Sequence, residues 1–216
     1  MRIMGRCGGN TADVAAAILW AAGEPVPGVP PNENPARIIN LSLSGAAERC
    51  PRALQTAVDK ATERGSVVVV AAGSAARSTA KSTPANCEGV LVVGSTDRLG
   101  QRSPTSNFGS EVSVSTFGGD LSASRREGVW TTTNTGAYRP KKPTNGYFEG
   151  SSAAAAQISG ALAALVHRHP GESNQRLIER LQEFTTPFGQ GQCDKGEGAC
   201  GRGIVDLDEL LALSSN

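Results

Sequence analysis

Histidine is nearly missing from this chain. Its 216 residues hold two, His167 and His169, and its cysteines at 7, 50, 87, 193 and 200 never take a CxxC spacing. That pattern excludes the usual zinc sites. Aromatic residues make up 4 %, while 26 glycines and many alanines suit tightly packed α/β layers. Charge of one sign is in no excess. The 21 basic side chains against 20 acidic ones leave a net +1, which predicts neither nucleic acid nor a membrane surface as a partner. No apolar run approaches the roughly 20 residues of a membrane span, and no signal-peptide-like stretch opens the chain. Five cysteines, an odd number, read as disulfides of an exported protein with one thiol left over. The length fits one domain with a sizeable core.

What is present alternates between strand and helix signals. Met1–Gly5 is a short apolar, β-like stub. Thr11-Ala12-Asp13 opens a helix that Gly23 ends, and Glu24–Pro35 carries five prolines and reads as an extended surface loop. Ile38–Leu43 reads as a buried strand, and Arg52–Arg64 as an amphipathic helix with Leu54, Ala57, Val58 and Ala61 on one face. Ser66–Ala72 and Val90–Ser95 are β-branched without alternation, the pattern of parallel strands covered on both faces. Val112–Ser115 is a shorter strand, and a hairpin is expected around Val129–Thr133 and Tyr147-Phe148. Helices follow at 152–168 and from Ser173 to Glu183, with Ser173 as N-cap, and a last one from Asp206. The expected fold is α/β, a doubly wound, mostly parallel sheet flanked by helices.

The stretch Gly150-Ser151-Ser152-Ala153-Ala154-Ala155-Ala156 places a hydroxyl where a small-residue apolar helix begins. There the first N–H groups lack intrahelical partners and the helix dipole favours negative charge. Such a site suits a nucleophilic serine whose attack creates an oxyanion; on local grounds alone the N-capping serine is the commoner occupant. Ligands of doubly wound sheets sit beyond the carboxyl ends of the strands. Three expected strands end in small residues there: Ser42-Leu43-Ser44-Gly45, Ala71-Ala72-Gly73-Ser74 and Gly94-Ser95. Exposed backbone at such ends suits an extended peptide bound by strand addition; the alternative is that small residues simply terminate strands.

Taken together, Ile38–Leu43, Val67–Ser74, Ser82-Thr83-Pro84-Ala85, Arg102–Gly109, Gly150–Ala154 and Gly201–Asp206 resemble, in order, the blocks of subtilisin-like serine proteases. The resemblance spans nearly the whole chain and is nearest to secreted bacterial members with disulfides. It implies a partial subtilisin-like peptidase domain over 1–216, secreted or periplasmic, hydrolysing peptide bonds of a peptide or protein substrate through an acyl-enzyme on Ser152. It further implies Ser74 as a weak oxyanion donor. Ser42, Leu43, Ser44, Gly45, Ala71, Ala72 and Gly73 become the substrate-binding edges. Cys50–Cys87 and Cys193–Cys200 become disulfides, and Thr83-Pro84 a cis bond. No cofactor is required; calcium is implied through the resemblance alone, since no dense Asp/Asn loop is present.

The departures from the family pattern are specific. No Asp-[Ser/Thr]-Gly and no His-Gly-Thr block precedes Ser152, and both histidines lie 15 or more positions beyond it. Along one helix that is roughly 22 Å, outside hydrogen-bond reach. The expectation is therefore that the family's Asp and His belong to a missing amino-terminal segment, which would also hold the partner of Cys7. Ser74 stands where the family has Asn, Ser44 where it has Gly, and Ala153, Ala156 and Gln157 where it has Met, Pro and His. Three readings follow: an endopeptidase fragment inactive alone, a degenerate subtilase fragment acting as a peptide-binding module, and an unrelated α/β domain whose Ser152 caps a helix.

Overall fold

The computed structural model describes residues 3–5, 8–137, 139–196 and 198–212. Along the chain run α1 (Thr11–Ala21), β1 (Ile38–Leu41), β2 (Gly45–Ala46), α2 (Arg52–Glu63), β3 (Val67–Ala71) and β4 (Ser82–Thr83). Next come β5 (Leu91–Thr96), β6 (Val112–Phe117), β7 (Val129–Asn134), β8 (Pro143–Phe148) and α3 (Ser151–Arg168). The chain closes with α4 (Asn174–Glu183), β9 (Thr185–Thr186), β10 (Ile204–Val205) and α5 (Leu207–Ala212).

Six strands form the main sheet in the order β1-β3-β5-β6-β10-β9. All neighbours are parallel except the β10–β9 pair. The uninterrupted valines of β3 show why the sheet is covered on both faces. Val68 and Val70 join α1 and α2 residues such as Ile18, Leu54 and Val58 in one core. Val67, Val69 and Ala71 turn the other way, onto Ile158, Leu162, Leu177, Leu181 and Leu210. Period-2 side-chain direction thus divides one strand between two cores. In α2 the buried face is Leu54, Ala57, Val58 and Ala61, as its spacing predicts. Burying Leu54 and Val58 contributes roughly 3–6 kcal/mol.

Helix α3 crosses the sheet against β1, β3, β5 and β6. Its alanines permit that approach: Ala154 and Ala155 are fully buried, and Ala161 nearly so. The proline-rich loop is fastened to α1, because Trp20 Nε1 donates to Pro30 O at 2.7 Å and Asn32 Nδ2 donates to Trp20 O at 3.0 Å. Asn10 caps α1 through Asp13 N, and Ser173 caps α4 through Arg176 N.

Both disulfides form, Cys50–Cys87 and Cys193–Cys200. Cys7 lies outside the described residues. Thr83-Pro84 is cis. Two short pairings have no sequence signature: β2 with β4, and β9 with β10. Among the described residues, no helix is long and apolar enough to cross a membrane.

Candidate active site

The carboxyl ends of β1 and β3 meet the first turn of α3. Gly150 occupies the N-cap position with φ +107°, so Ser151 and Ser152 are already helical and neither is the cap residue. Their hydroxyls go opposite ways. Ser151 is fully buried, and its Oγ accepts from Gly73 N at 3.0 Å. Ser152 is half-buried and donates from Oγ to Ser42 O at 3.2 Å, while Ser42 Oγ donates back to Ser152 O at 2.9 Å. The chain thus spends Ser151 on architecture and leaves Ser152 at the cleft.

Ser42 is held in turn. Asn40 Nδ2 donates to Ser42 Oγ at 3.0 Å, and Asn40 Oδ1 accepts from Ser159 Oγ at 3.0 Å, two turns further along the same face of α3. Ser44 is exposed and Leu43 half-buried. Gly45 pairs with Thr83, so part of this segment's backbone already serves an internal pairing.

The turn Ala71-Ala72-Gly73-Ser74 lies alongside. Ser74 is exposed; its Oγ accepts from Ser151 N at 3.3 Å and sits 3.3 Å from Ser151 Oγ. Gly73 has φ +102°, and a Cβ there would collide with Asn107 Nδ2 and come within 3.1 Å of Ser44 Oγ. Gly150 is equally constrained, since its Cβ would meet Ser74 Oγ at 2.7 Å.

Asn107 organises this turn, a role sequence reasoning missed although its Ser-Asn-Phe-Gly block stood out. The side chain is 1 % exposed. Oδ1 accepts from Ala75 N at 3.0 Å and Arg77 N at 3.1 Å. Nδ2 donates to Ala72 O at 2.9 Å and to Ser82 Oγ at 3.3 Å, and the backbone N–H donates to Gly73 O at 2.9 Å. Arg102 anchors the segment leading to it. Its guanidinium donates to Ser103 O, Pro104 O and Ser106 O, and in bidentate fashion to Asp194 at 2.6 and 3.1 Å. That pairing holds the Asp194 carboxyl well below the usual carboxylate range, against burial, which pushes the other way.

Ser42, Ser152, Ala153, Val129, Thr131 and Phe148 line a cleft of about 480 Å³. Gln157 closes one wall; its Nε2 donates to Phe117 O at 2.7 Å. The histidines lie elsewhere. His167 is in the last turn of α3 and His169 ends it, with Nδ1 4.0 Å from Glu172 Oε1. At 1.5 Å per residue His167 stands roughly 22 Å from Ser152. Among the described residues, no three His, Cys, Asp or Glu side chains gather as a metal site would require.

A parallel, helix-covered sheet thus presents a serine hydroxyl at the start of a buried helix, beside the carboxyl ends of β1 and β3. Comparison with known proteins fixes the family. A model of the Subtilase family matches residues 1–199, and the chain belongs to that family. It is 35 % identical, over its whole length, to an extracellular protease of Xanthomonas campestris pv. campestris, covering 35 % of that protein. An extracellular basic protease of Dichelobacter nodosus is 32 % identical over 98 % of the chain and 34 % of its own length. The chain thus spans about a third of the length of these curated relatives. Among solved structures, proteases from Pseudoalteromonas arctica align with a TM-score of 0.90 and 38 % identity, over 99 % of this chain and 61 % of that one.

Proposed function

We propose that this chain is the serine-bearing part of a secreted subtilisin-like endopeptidase, with Ser152 as nucleophile. The observation that carries the reading is the division of labour at the helix start. Ser151 is locked to Gly73, while Ser152 directs its hydroxyl to the end of β1 inside the cleft. An extended peptide would lie along Ser42, Leu43, Ser44 and Gly45 on one side and Ala71, Ala72 and Gly73 on the other. Ser152 Oγ then attacks the scissile carbonyl carbon, and the charge developing on its oxygen faces the Ser152 N–H and the Ser74 hydroxyl. Collapse of the tetrahedral species breaks the C–N bond and leaves an acyl-enzyme that water hydrolyses.

The base is the piece this arrangement needs from elsewhere. Ser152 gives its proton to a backbone carbonyl, which cannot take it up, so by itself it is a weak nucleophile. We propose that the base and its orienting carboxylate come from a segment outside this chain, docked beside β1, which among the described residues pairs in the sheet with β3 alone. Ser74 is a poorer donor than an amide because its hydroxyl is shared with Ser151. In subtilisin itself, loss of the corresponding side-chain donor costs roughly 10²–10³ in turnover. No step of this reaction passes through a cation or cofactor.

A second reading, a peptide-binding module without catalysis, draws on the same exposed strand ends. Fluorogenic peptide hydrolysis and peptide binding, measured on the chain and on the protein that includes the base-bearing segment, each against its Ser152→Ala variant, separate them. The expected result is saturable binding by all four and Ser152-dependent turnover only with that segment, whereas binding without turnover in either form favours the binding module. Turnover by the chain itself that depends on Ser152 would place the base within it. Absence of peptide binding would leave only a helix-start serine.

A further inference from the structure

The hairpin of β7 and β8 is a strand pair without a sheet. Val129-Trp130-Thr131-Thr132-Thr133 is β-branched and aromatic, a composition that suits a packed, paired strand. Yet among the described residues β7 and β8 pair as strands only with each other, and every β7 residue after Val129 is exposed. A lone two-stranded ribbon is marginal in water, and each outer edge offers a row of N–H and C=O groups to a third strand. Trp130 is 58 % exposed and lies 4.7 Å from the Tyr147 ring; Phe148 is 51 % exposed.

The two ends of the ribbon differ in chemistry. At its base, Val129, Thr131 and Phe148 line the cleft that holds Ser152. Its tip is cationic: Arg139, Lys141 and Lys142 are exposed and, among the described residues, take part in no ion pair. No Asp or Glu occurs from 128 to 148, so nothing within the hairpin neutralises that charge. The register runs from Val129↔Phe148 to Asn134↔Pro143. Five residue steps at the antiparallel rise span about 17 Å.

We propose that the hairpin is a recognition arm for extended acidic peptides, which add along its open edge and set their carboxylates at the Arg139–Lys142 tip. The inference rests on the peptide-cleft reading of Ser152 and deepens it by naming a substrate class. A bound strand advances at the same rise as the hairpin. The favoured acidic residues therefore lie about five to seven positions from the residue seated at Ser152.

The test uses the intact chain and three labelled dodecapeptides sharing one neutral core. One carries an Asp pair six residues from the seated position, one carries it within the core, and one carries a distal Lys pair. Fluorescence anisotropy should show the distal-Asp peptide binding about tenfold more tightly than the others, the size of two exposed charge pairs together. The preference should collapse in 1 M NaCl, where screening acts within about 3 Å. In R139E/K141E/K142E it should reverse toward the distal-Lys peptide. Equal affinities, a preference indifferent to salt or charge reversal, or no saturable binding of the distal-Asp peptide overturns the proposal. So does a full-length product in which Trp130, read by acrylamide quenching in a Trp20→Phe background, is shielded without peptide. Failure of the cleft reading looks different: Gly73→Val would leave binding of all three peptides unchanged while the distal-Asp preference persists.

Discussion

Replacing Gly73 by alanine perturbs two things that can be measured apart. The backbone there has φ +102°, where an L side chain costs about 1–2 kcal/mol. The new Cβ would also collide with Asn107 Nδ2, which donates to Ala72 O at 2.9 Å in a buried site. Displacing that amide leaves a buried carbonyl unpaired, at about 1–3 kcal/mol. The sum is about 2–5 kcal/mol, and each kcal/mol lowers the melting point of a domain this size by roughly 2–4 °C. Gly28→Ala supplies the control, because Gly28 has φ +75° and open space around a Cβ. It should show the backbone cost alone. A double-mutant cycle with Asn107→Ala then isolates the contact: in that background Gly73→Ala should lose about 1–3 kcal/mol of its effect. Urea melts of the four variants decide the matter. If Gly73→Ala costs no more than Gly28→Ala, or the cycle shows no coupling, Asn107 does not organise the turn that carries Ser74.

Other expectations follow from the same geometry. Removing Cys50–Cys87, of sequence separation 37, should cost about 3.8 kcal/mol on chain-entropy grounds, and Cys193–Cys200, of separation 7, about 2.4; melts of the two double Cys→Ser variants should keep that order. Ser151→Ala strips the acceptor from the buried Gly73 N–H and should cost about 1–3 kcal/mol in stability while leaving Ser152 free to react. Asp194, paired with Arg102, titrates below its ordinary value near 3.8 in the folded state. A depressed folded value adds stability that is full above pH 4 and fades as the pH falls toward that lower value. Asp194→Asn should thus melt below the parent at pH 7, with the gap narrowing from pH 4 to pH 2 in a series of thermal scans.

The sequence carried the strands it could not have hidden. Val67–Val70 and Leu91–Val93 have no polar face, so only a sheet covered on both sides accommodates them. Amphipathic spacing did the same for α2, and Ser173 marked the start of α4. The pairings β2–β4 and β9–β10 are two residues long and leave no period to read. The helix start was legible to within one residue, but its chemistry was not. Gly150-Ser151-Ser152 offers two hydroxyls, and only the fold shows that Ser151 turns inward to Gly73 while Ser152 turns to Ser42. Asn107 left a motif but no role, because its partners at Ala72, Ala75, Arg77 and Ser82 are 25 to 35 residues away. Both disulfide pairings came through the family resemblance, since five cysteines alone do not choose their partners.

The central claim is that Ser152 is the reacting atom's address. Incubating the protein expressed from its complete reading frame with a fluorophosphonate, followed by peptide mapping, tests it directly. The account predicts one stoichiometric adduct, on Ser152, lost in Ser152→Ala and retained in Ser151→Ala. Labelling spread over several serines at a background rate, or an adduct on Ser151 or Ser42, would contradict it.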